Sequence, residues 1–251
     1  MKDTTKNFYH EDIWSQIETH PGYNLGRREL NALIRFLPTV AEKISGPTNI
    51  LHLGVATGQE VPHIIQNISN IKEYLLNDIC EPVIKKTGQQ MKWKFPKINF
   101  SIAVADVEKA KVIKKLRQKL SGPTLIVLVA NSVLFSNRQM DKNIFEAIGK
   151  EDLFLLTVER PHPKMYDSYL ILPVLKLLSE GGVEITRKNI KCWYDDKSHT
   201  INMACKGKIL LSSYKPTPLQ LREQMTNAGF TEVTLAEYKN LHMIASLWRK
   251  K

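Results

Sequence analysis

The segment NILHLGVATGQE, residues 49–60, decides the fold class of this chain. It begins as a short apolar strand, passes through a glycine-containing loop, and continues into residues with helical spacing. A loop of this kind lets a ligand approach the backbone closely, and the helix after it offers N–H groups at its N-terminus. A Walker A loop is excluded, because Gly58 is followed by Gln59 and Glu60 and not by Lys and Ser or Thr. The segment therefore predicts a strand–loop–helix binding unit.

Strands and helices alternate on both sides of this segment. Parallel strands need crossover connections that are usually helical, so the alternation predicts parallel βαβ units. The run LIVLVA, residues 125–130, is continuously apolar, as expected of a strand that is buried on both faces. We predict strands at 49–53, 73–77, 99–104, 125–130 and 153–158, and helices at 27–44, 61–71, 80–92, 108–120 and 141–148.

The last third of the sequence has a different pattern. After a predicted helix at 169–178, several strands follow one another with only polar turns between them, which suggests an antiparallel addition. We predict strands at 190–194, 200–205, 208–212, 232–238 and 243–248, and a helix at 217–228. The expected architecture is α/β: a Rossmann-like, doubly wound, mostly parallel sheet with a helical N-terminal segment and a small antiparallel addition. We expect an N-terminal helical cap at 1–46 and a binding domain at 47–251, with a substrate-side insertion around 160–215.

Composition narrows the class of protein. The chain has 251 residues, of which 43% are hydrophobic and 24% charged, as in ordinary globular proteins. No apolar run is long enough to span a bilayer, and the polar N-terminus does not look like a secretory signal. Three scattered cysteines form neither a disulfide framework nor a zinc pattern, so we expect no metal site, no membrane contact and a cytoplasmic location. The net charge of +11 permits a nucleic-acid partner, although a solvated basic surface explains it equally well.

Two acidic residues lie at the ends of the next two predicted strands. Asp78 ends the second strand and Asp106 ends the third, at the edge where open α/β sheets bind ligands. Asp78 is suited to accept hydrogen bonds from both ribose hydroxyls of a nucleoside cofactor. Asp106, with the N–H of Val107 beside it, is suited to meet an adenine amino group. Either acid alone is also a common helix N-cap, and it is their order that favours a nucleoside cofactor.

At these residues the chain resembles a class I S-adenosylmethionine-dependent methyltransferase. LHLGVATGQ is similar to the first glycine motif of that superfamily, with His52 in place of the usual acid and Ala56 in place of the middle glycine. LREQMTNAGFTEVTL resembles its helix–Ala-Gly-Phe–strand ending. An NAD-binding Rossmann protein is the nearest alternative, but the expected G-x-G-x-x-G is absent. The resemblance implies S-adenosylmethionine as cofactor, bound by Gly54, Ala56, Gly58, Glu60, Asp78, Asp106, Val107 and Asn131.

A closer resemblance, over most of the chain, is to the histidine-specific methyltransferase family, which includes the α-N-trimethylating enzyme of ergothioneine biosynthesis. It rests on the ordered segments HPGYNLGRREL, VANSVLFSN, EDLFLLTVERP, KMYDSY, IKCWYDDKSHTINMACKGK and SSYKPTPLQL. The resemblance implies that Tyr23, Asn137, Tyr166 and Ser213 bind the substrate amine, with Tyr166 and Asn137 in catalytic roles. Leu211 stands where the family has the Glu that reads imidazole, so we do not expect histidine to be recognised in the same way.

The resemblance implies an S-adenosylmethionine-dependent N-methyltransferase acting on a small amino-acid-like amine. The sulfonium carries its own leaving group, so the protein mainly aligns the reactants and excludes water. Glu159, Asp167 and His162 are candidate proton acceptors, with solvated or capping roles as the alternative. An RNA or protein methyltransferase on the same fold is a second hypothesis, which salt-dependent RNA retention would favour. A non-catalytic binding protein of the same fold is a third, which failure to bind the cofactor would favour.

Overall fold

The computed structural model describes residues 16–109, 111–129, 139–179 and 185–251. The strands are β1 (Thr48–Leu53), β2 (Ile71–Asp78), β3 (Asn99–Val104), β4 (Thr124–Leu128), β5 (Leu153–Glu159), β6 (Ile190–Asp195), β7 (Thr200–Cys205), β8 (Lys208–Tyr214), β9 (Phe230–Tyr238) and β10 (Met243–Lys250). The helices are α1 (Asn24–Glu42), α2 (Val61–Asn67), α3 (Glu81–Lys94), α4 (Val112–Arg117), α5 (Gln139–Ala147), α6 (Leu172–Ser179) and α7 (Pro218–Asn227), with short 3-10 turns at Asp167–Tyr169 and Lys239–Leu241.

Seven strands form one central sheet in the order β3-β2-β1-β4-β5-β10-β9. The first five strands in this order are parallel, and β10 runs antiparallel to both β5 and β9. The order of the strands reverses between β1 and β4, which makes the carboxyl edge of these two strands the switch point where such sheets bind ligands. The prediction of a Rossmann-like, mostly parallel sheet is confirmed.

Side chains that alternate along β1 enter two different core layers. Leu51 and Leu53 face a layer completed by α4, α5 and α7, whereas Ile50 faces a layer completed by α1, α2 and α3. Helices therefore cover both faces of the sheet, as the doubly wound class requires. All five residues of β4 are buried, which agrees with the apolar run that predicted this strand.

The predicted antiparallel addition is also confirmed. Strands β6, β7 and β8 form a separate three-stranded antiparallel sheet, and every residue of its central strand β7 is buried. Ile201 and Met203 of β7 share a hydrophobic cluster with Leu25 at the start of α1 and with Met243 of β10. The small sheet therefore packs against α1 and against β10 of the large sheet.

Two predicted helices are longer than the structure allows. The helix predicted at 61–71 ends at Asn67, because Ile68 is extended and Asn70 adopts a left-handed conformation (φ 57°) just before β2. The helix predicted at 108–120 is confined to α4, because Lys111 is also left-handed (φ 66°). Both turns interrupt an apolar spacing that continues across them. Among the described residues, no helix is both long and apolar enough to cross a membrane.

Asp152 is a buried carboxylate at the amino-terminal edge of the sheet. It accepts two hydrogen bonds from Arg117, both at 2.8 Å, and one each from the N–H groups of Thr124 (2.9 Å) and Gly149 (2.7 Å). We expect Asp152→Ala to lower the free energy of unfolding by about 3 kcal/mol, because it leaves several donors without their acceptor. Urea unfolding measures this.

The matched control is Glu232→Gln, which removes the charge of an exposed ion pair with Arg222. Exposed pairs contribute about 1 kcal/mol or less, so the control should be close to the unchanged protein. Equal losses in the two variants would contradict the structural role assigned to Asp152.

Candidate functional site

In the loop after β1, every second residue from Gly54 to Gly58 has a left-handed backbone conformation. Gly54, Ala56 and Gly58 have φ values of 65°, 47° and 70°. Such a conformation costs an alanine about 1 kcal/mol relative to the right-handed region. The Ala56 N–H donates to Oδ2 of Asp78 at 2.9 Å, and the Ala56 carbonyl accepts from the Thr87 hydroxyl at 2.8 Å. The alanine therefore adopts a glycine-like conformation and is held there by bonds from β2 and α3.

Gly58 has a separate reason to be glycine. A Cβ atom at this position would lie 2.8 Å from Cγ2 of Thr87, closer than real contacts allow. The loop thus packs directly on α3, and its path along the carboxyl edge of the sheet depends on this close approach.

Asp78, the last residue of β2, lies beside this loop and is only 7% exposed. Besides the bond from Ala56, its Oδ1 accepts the N–H of Cys80 at 2.8 Å. Burial raises the pKa of this carboxyl group, and the backbone donors partly offset that effect. Each carboxylate oxygen has two lone pairs, so both retain the capacity to accept a ligand hydroxyl. This pair of acceptor oxygens fits the ribose hydroxyls of a nucleoside cofactor.

Asp106 and Val107 lie at the same edge, directly after β3. The Asp106 carboxylate accepts the N–H of Glu108 at 3.1 Å and lies 3.7 Å from the Lys109 ammonium. Asp106 therefore stabilises the local turn that follows β3, and the next helix begins only at Val112. Val107 is buried in the core layer below. The predicted site residues Asn131 and Asn137 lie outside the described residues.

The N-terminal segment, which precedes α1, contacts the loop between β1 and α2 that contains Gly54 and Gly58 (the glycine loop). The carboxylate of Glu18 accepts hydrogen bonds from the Thr57 hydroxyl at 2.5 Å and the Gln59 amide at 3.2 Å. Glu60, which precedes α2 and is largely buried, lies 3.1 Å from Nε2 of His52. Three carboxylates, those of Glu18, Glu60 and Asp78, are thus part of or bonded to the glycine loop.

Three of the four predicted substrate residues lie in the described part of the chain, and these three contact one hydrophobic cluster. Tyr23 and Tyr166 both pack against one hydrophobic cluster, although 143 positions separate them in the sequence. Ser213 joins the same region through the hydroxyl of Tyr169, with the two oxygens 2.8 Å apart. The buried members of this cluster are Leu25, Ala32, Met165, Tyr169, Ile201, Met203, Leu211 and Met243.

A buried ion cluster joins this region to the end of β5. The carboxylate of Glu159 lies 3.0 Å from Nζ of Lys215 and 2.8 Å from Nε2 of His162, and it also pairs with Arg28. Glu159 and Lys215 are both fully buried. Burial alone would raise the pKa of Glu159, but Lys215, His162 and Arg28 together lower it from 4.5 to about 2. An ionised carboxylate of such low proton affinity is a poor proton acceptor at neutral pH, contrary to the sequence-based hypothesis.

Sequence analysis named Glu159, His162 and Ser213 but did not single out Lys215, Arg28 or Tyr169. Lys215 donates to the hydroxyls of Ser213 (2.8 Å) and Tyr169 (3.0 Å) and forms its ion pair with Glu159. Of the other two candidate proton acceptors, His162 is stacked on His242 with ring centres 4.3 Å apart, and Asp167 is exposed. The resemblance segments HPGYNLGRREL, KMYDSY and SSYKPTPLQL contain Arg28, Tyr169 and Lys215, and they gave the sequence signal for these contacts. Among the described residues, no group of His, Cys, Asp and Glu is arranged to hold a metal ion.

A family model described as histidine-specific, S-adenosylmethionine-dependent methyltransferase matches residues 5–169, more than half of the 251 residues. A sequence comparison with curated proteins finds no match. The matched range contains the glycine loop, Asp78, Asp106 and Tyr166, and it stops before β6.

Solved structures of similar fold cover almost the whole chain. The PH0226 protein from Pyrococcus horikoshii OT3 has a TM-score of 0.55 at 12% identity, over 94% of this chain and 99% of that one. An S-adenosylmethionine-dependent methyltransferase from Clostridium acetobutylicum ATCC 824 has a TM-score of 0.54 at 9% identity, over 99% of both chains. The magnesium protoporphyrin IX methyltransferase of Synechocystis PCC 6803, solved with bound S-adenosylhomocysteine, has a TM-score of 0.54 at 12% identity, over 99% of this chain and 95% of that one. At such low sequence identity, structural similarity shows that these proteins and this chain share a fold.

The lowered pKa of Glu159 links stability to pH. Its folded value of about 2 lies below its ordinary value of 4.5, so its contribution to stability is present above pH 4.5 and is lost as the pH falls towards 2. We expect the free energy of unfolding of the unchanged protein to fall more steeply over this window than that of Glu159→Gln, which cannot titrate. Urea unfolding at a series of pH values measures the two slopes, with the exposed Glu151→Gln as control. Parallel slopes for the unchanged protein and Glu159→Gln would contradict the ion cluster described above.

Proposed function

Because the chain belongs to the histidine-specific, S-adenosylmethionine-dependent methyltransferase family, we propose that it methylates the nitrogen of a small amino-acid-like amine. The chain is a methyltransferase and its cofactor is S-adenosylmethionine. The proposal of an amine substrate rests on one observation: Tyr23 and Tyr166 pack on the same cluster, and Ser213 is bonded to that cluster through Tyr169. Lys215 connects this cluster to the end of β5, and β4 alone separates β5 from β1, the strand before the glycine loop.

The cofactor side of the proposal rests on the carboxyl edge of β1, β2 and β3. When bound, S-adenosylmethionine supplies an electrophilic methyl group on a positively charged sulfur. Asp78 accepts the ribose hydroxyls, and the loop around Ala56 offers its backbone to the amino-acid part of the cofactor. The proposed cofactor contacts are Gly54, Ala56, Gly58, Glu60, Asp78, Asp106, Val107 and Asn131.

The substrate side must hold an amine in its neutral form, because a protonated amine has no lone pair to attack with. Removing the amine from water lowers its pKa, and an aromatic, largely apolar lining does this. Burial raises the pKa values of Tyr23 and Tyr166, so both phenols stay protonated and act as neutral hydrogen-bonding groups. In the proposal, Tyr166 and Asn137 orient the amine lone pair towards the methyl group, while Tyr23 and Ser213 bind the rest of the substrate.

The distal wall of the proposed pocket is apolar. Leu211 and Met203 face each other across the β7–β8 pair and are both buried in the cluster. No carboxylate is available at position 211 to read an imidazole N–H. We therefore propose a substrate whose side chain is less polar than that of histidine. We further propose that the enzyme works in the cytoplasm, where the three cysteines would remain free thiols, as they are in the structure.

The cofactor site is tested by isothermal titration with S-adenosylmethionine and S-adenosylhomocysteine. Asp78→Asn keeps the size of the side chain but removes the charge that strengthens the ribose hydrogen bonds, so the dissociation constant should rise about tenfold or more. The control Asp195→Asn changes an acid that bonds Lys197 and Ser198 within the β6–β7 hairpin, and it should leave binding unchanged. Unaltered binding by Asp78→Asn would refute the role of Asp78, and no binding by the unchanged protein would refute the site.

The substrate proposal is tested by following release of S-adenosylhomocysteine with a panel of amino acids and related amines, L-histidine included. For the best acceptor, Tyr166→Phe should lower kcat/KM about tenfold or more and leave the dissociation constant of S-adenosylmethionine unchanged, because only the amine loses a hydrogen bond. Tyr238→Phe, a half-buried tyrosine of β9, is the matched control. Methylation of RNA in place of every amine, weakened by salt, would overturn the proposal in favour of the nucleic-acid alternative.

A further inference from the structure

His52 is a fully buried polar residue and the last but one residue of β1, where an apolar residue would be expected. Its side chain enters the layer between the sheet and helices α1–α3, next to Tyr74 of β2. Nδ1 lies 2.9 Å from the Tyr74 hydroxyl, and Nε2 lies 3.1 Å from Oε1 of Glu60. The imidazole thus bridges the second strand of the sheet and the residue that ends the glycine loop.

The protons of this bridge can be assigned from the groups around the ring. Burial and the charge of Glu60 raise the pKa of Tyr74 well above 10, so the phenol keeps its proton. Nε2 faces the carboxylate of Glu60, which can only accept, so in a neutral imidazole the ring proton sits on Nε2 and Nδ1 accepts from the Tyr74 hydroxyl. Donation therefore runs from Tyr74 to His52, and the second ring nitrogen lies at ion-pair distance from Glu60.

Glu60 occupies a central place among the groups that border the loop. It immediately precedes α2, and its charge contributes to the raised pKa values of both Asp78 and Glu18. Asp78 bonds the backbone of Ala56, and Glu18 bonds the side chain of Thr57. The position of the Glu60 carboxylate therefore affects both carboxylates that bond the loop, in addition to the larger effect of their burial.

We propose that His52, braced by Tyr74, is a positioning residue of the cofactor site that fixes the carboxylate of Glu60 at the end of the glycine loop. The inference rests on the proposed cofactor contacts and adds a residue that does not itself touch the cofactor. S-adenosylmethionine carries a positive ammonium and a positive sulfonium group. A carboxylate that is already held in place attracts these charges without first losing side-chain freedom, which strengthens binding.

A purely packing role for His52 makes a different prediction. His52, Tyr74 and Phe100 form a row of rings, with centres 6.0 Å and 5.4 Å apart. If His52 only filled this row, His52→Phe would change the stability of the protein. Any effect of that substitution on cofactor binding would then be independent of Glu60.

The experiment is a double-mutant cycle on the dissociation constant of S-adenosylmethionine, measured by isothermal titration. His52→Phe and Glu60→Gln should each raise the constant about tenfold, and the double variant should be little worse than either single one, since both remove the same arrangement. Tyr74→Phe, which removes one oxygen and keeps the ring, should raise it in the same direction and provides the test if His52→Phe does not fold.

Phe100→Leu is the matched control, because it disturbs the same row of rings without removing a hydrogen bond. It should lower the unfolding midpoint and leave binding of S-adenosylmethionine unchanged. The inference is overturned if the effects of His52→Phe and Glu60→Gln simply multiply, or if Phe100→Leu weakens binding as much as Tyr74→Phe does. Failure of the unchanged protein to bind S-adenosylmethionine would remove the cofactor site itself, and the inference with it.

Discussion

The buried carboxylate of Glu159 holds together three parts of the chain that are far apart in sequence. It ends β5 in the central sheet, and it pairs with Arg28 of α1 and with Lys215, which follows β8 of the small sheet. Buried ion pairs contribute little net stability, because desolvation offsets the attraction between the charges. Their geometry is nevertheless demanding, since an unpaired charge in this position would be costly. The cluster therefore fixes where the N-terminal helix and the small sheet sit on the carboxyl side of β5.

The N-terminal segment connects the two halves of the candidate site. Glu18 bonds the side chains of Thr57 and Gln59 in the glycine loop, whereas the N–H of Leu25 donates to the buried Ser168 hydroxyl at 3.1 Å. One turn later, Arg28 reaches the ion cluster. A single stretch of about ten residues thus touches the cofactor side, the Tyr166 segment and the end of β5 in succession. Displacing this stretch would alter both halves of the site together.

Local sequence patterns predicted the sheet and the cofactor edge, because these depend on local chemistry. The apolar run of β4 is buried on both faces, and Asp78 ends a strand at the expected distance from Gly54. The contacts of Lys215 with Tyr169 and Glu159 could not be predicted in this way, since they join positions 46 and 56 residues apart that share no periodicity. Helix lengths failed for a related reason: a single left-handed residue, Asn70 or Lys111, ends an apolar spacing that continues on either side of it.

The two departures from the glycine motif lie in β1 and in the loop that follows it, and each is accompanied by its own hydrogen bonds. The left-handed conformation of Ala56 costs about 1 kcal/mol, and bonds from its N–H to Asp78 and from Thr87 to its carbonyl contribute a similar amount. At the strand end of the loop, the histidine in place of an acid faces Glu60, so a carboxylate is still present, supplied from the helix side. The two altered residues are therefore compatible with an intact conformation of the glycine loop. The conformation depends on the neighbouring groups that bond the backbone, and these are present on β2, α2 and α3.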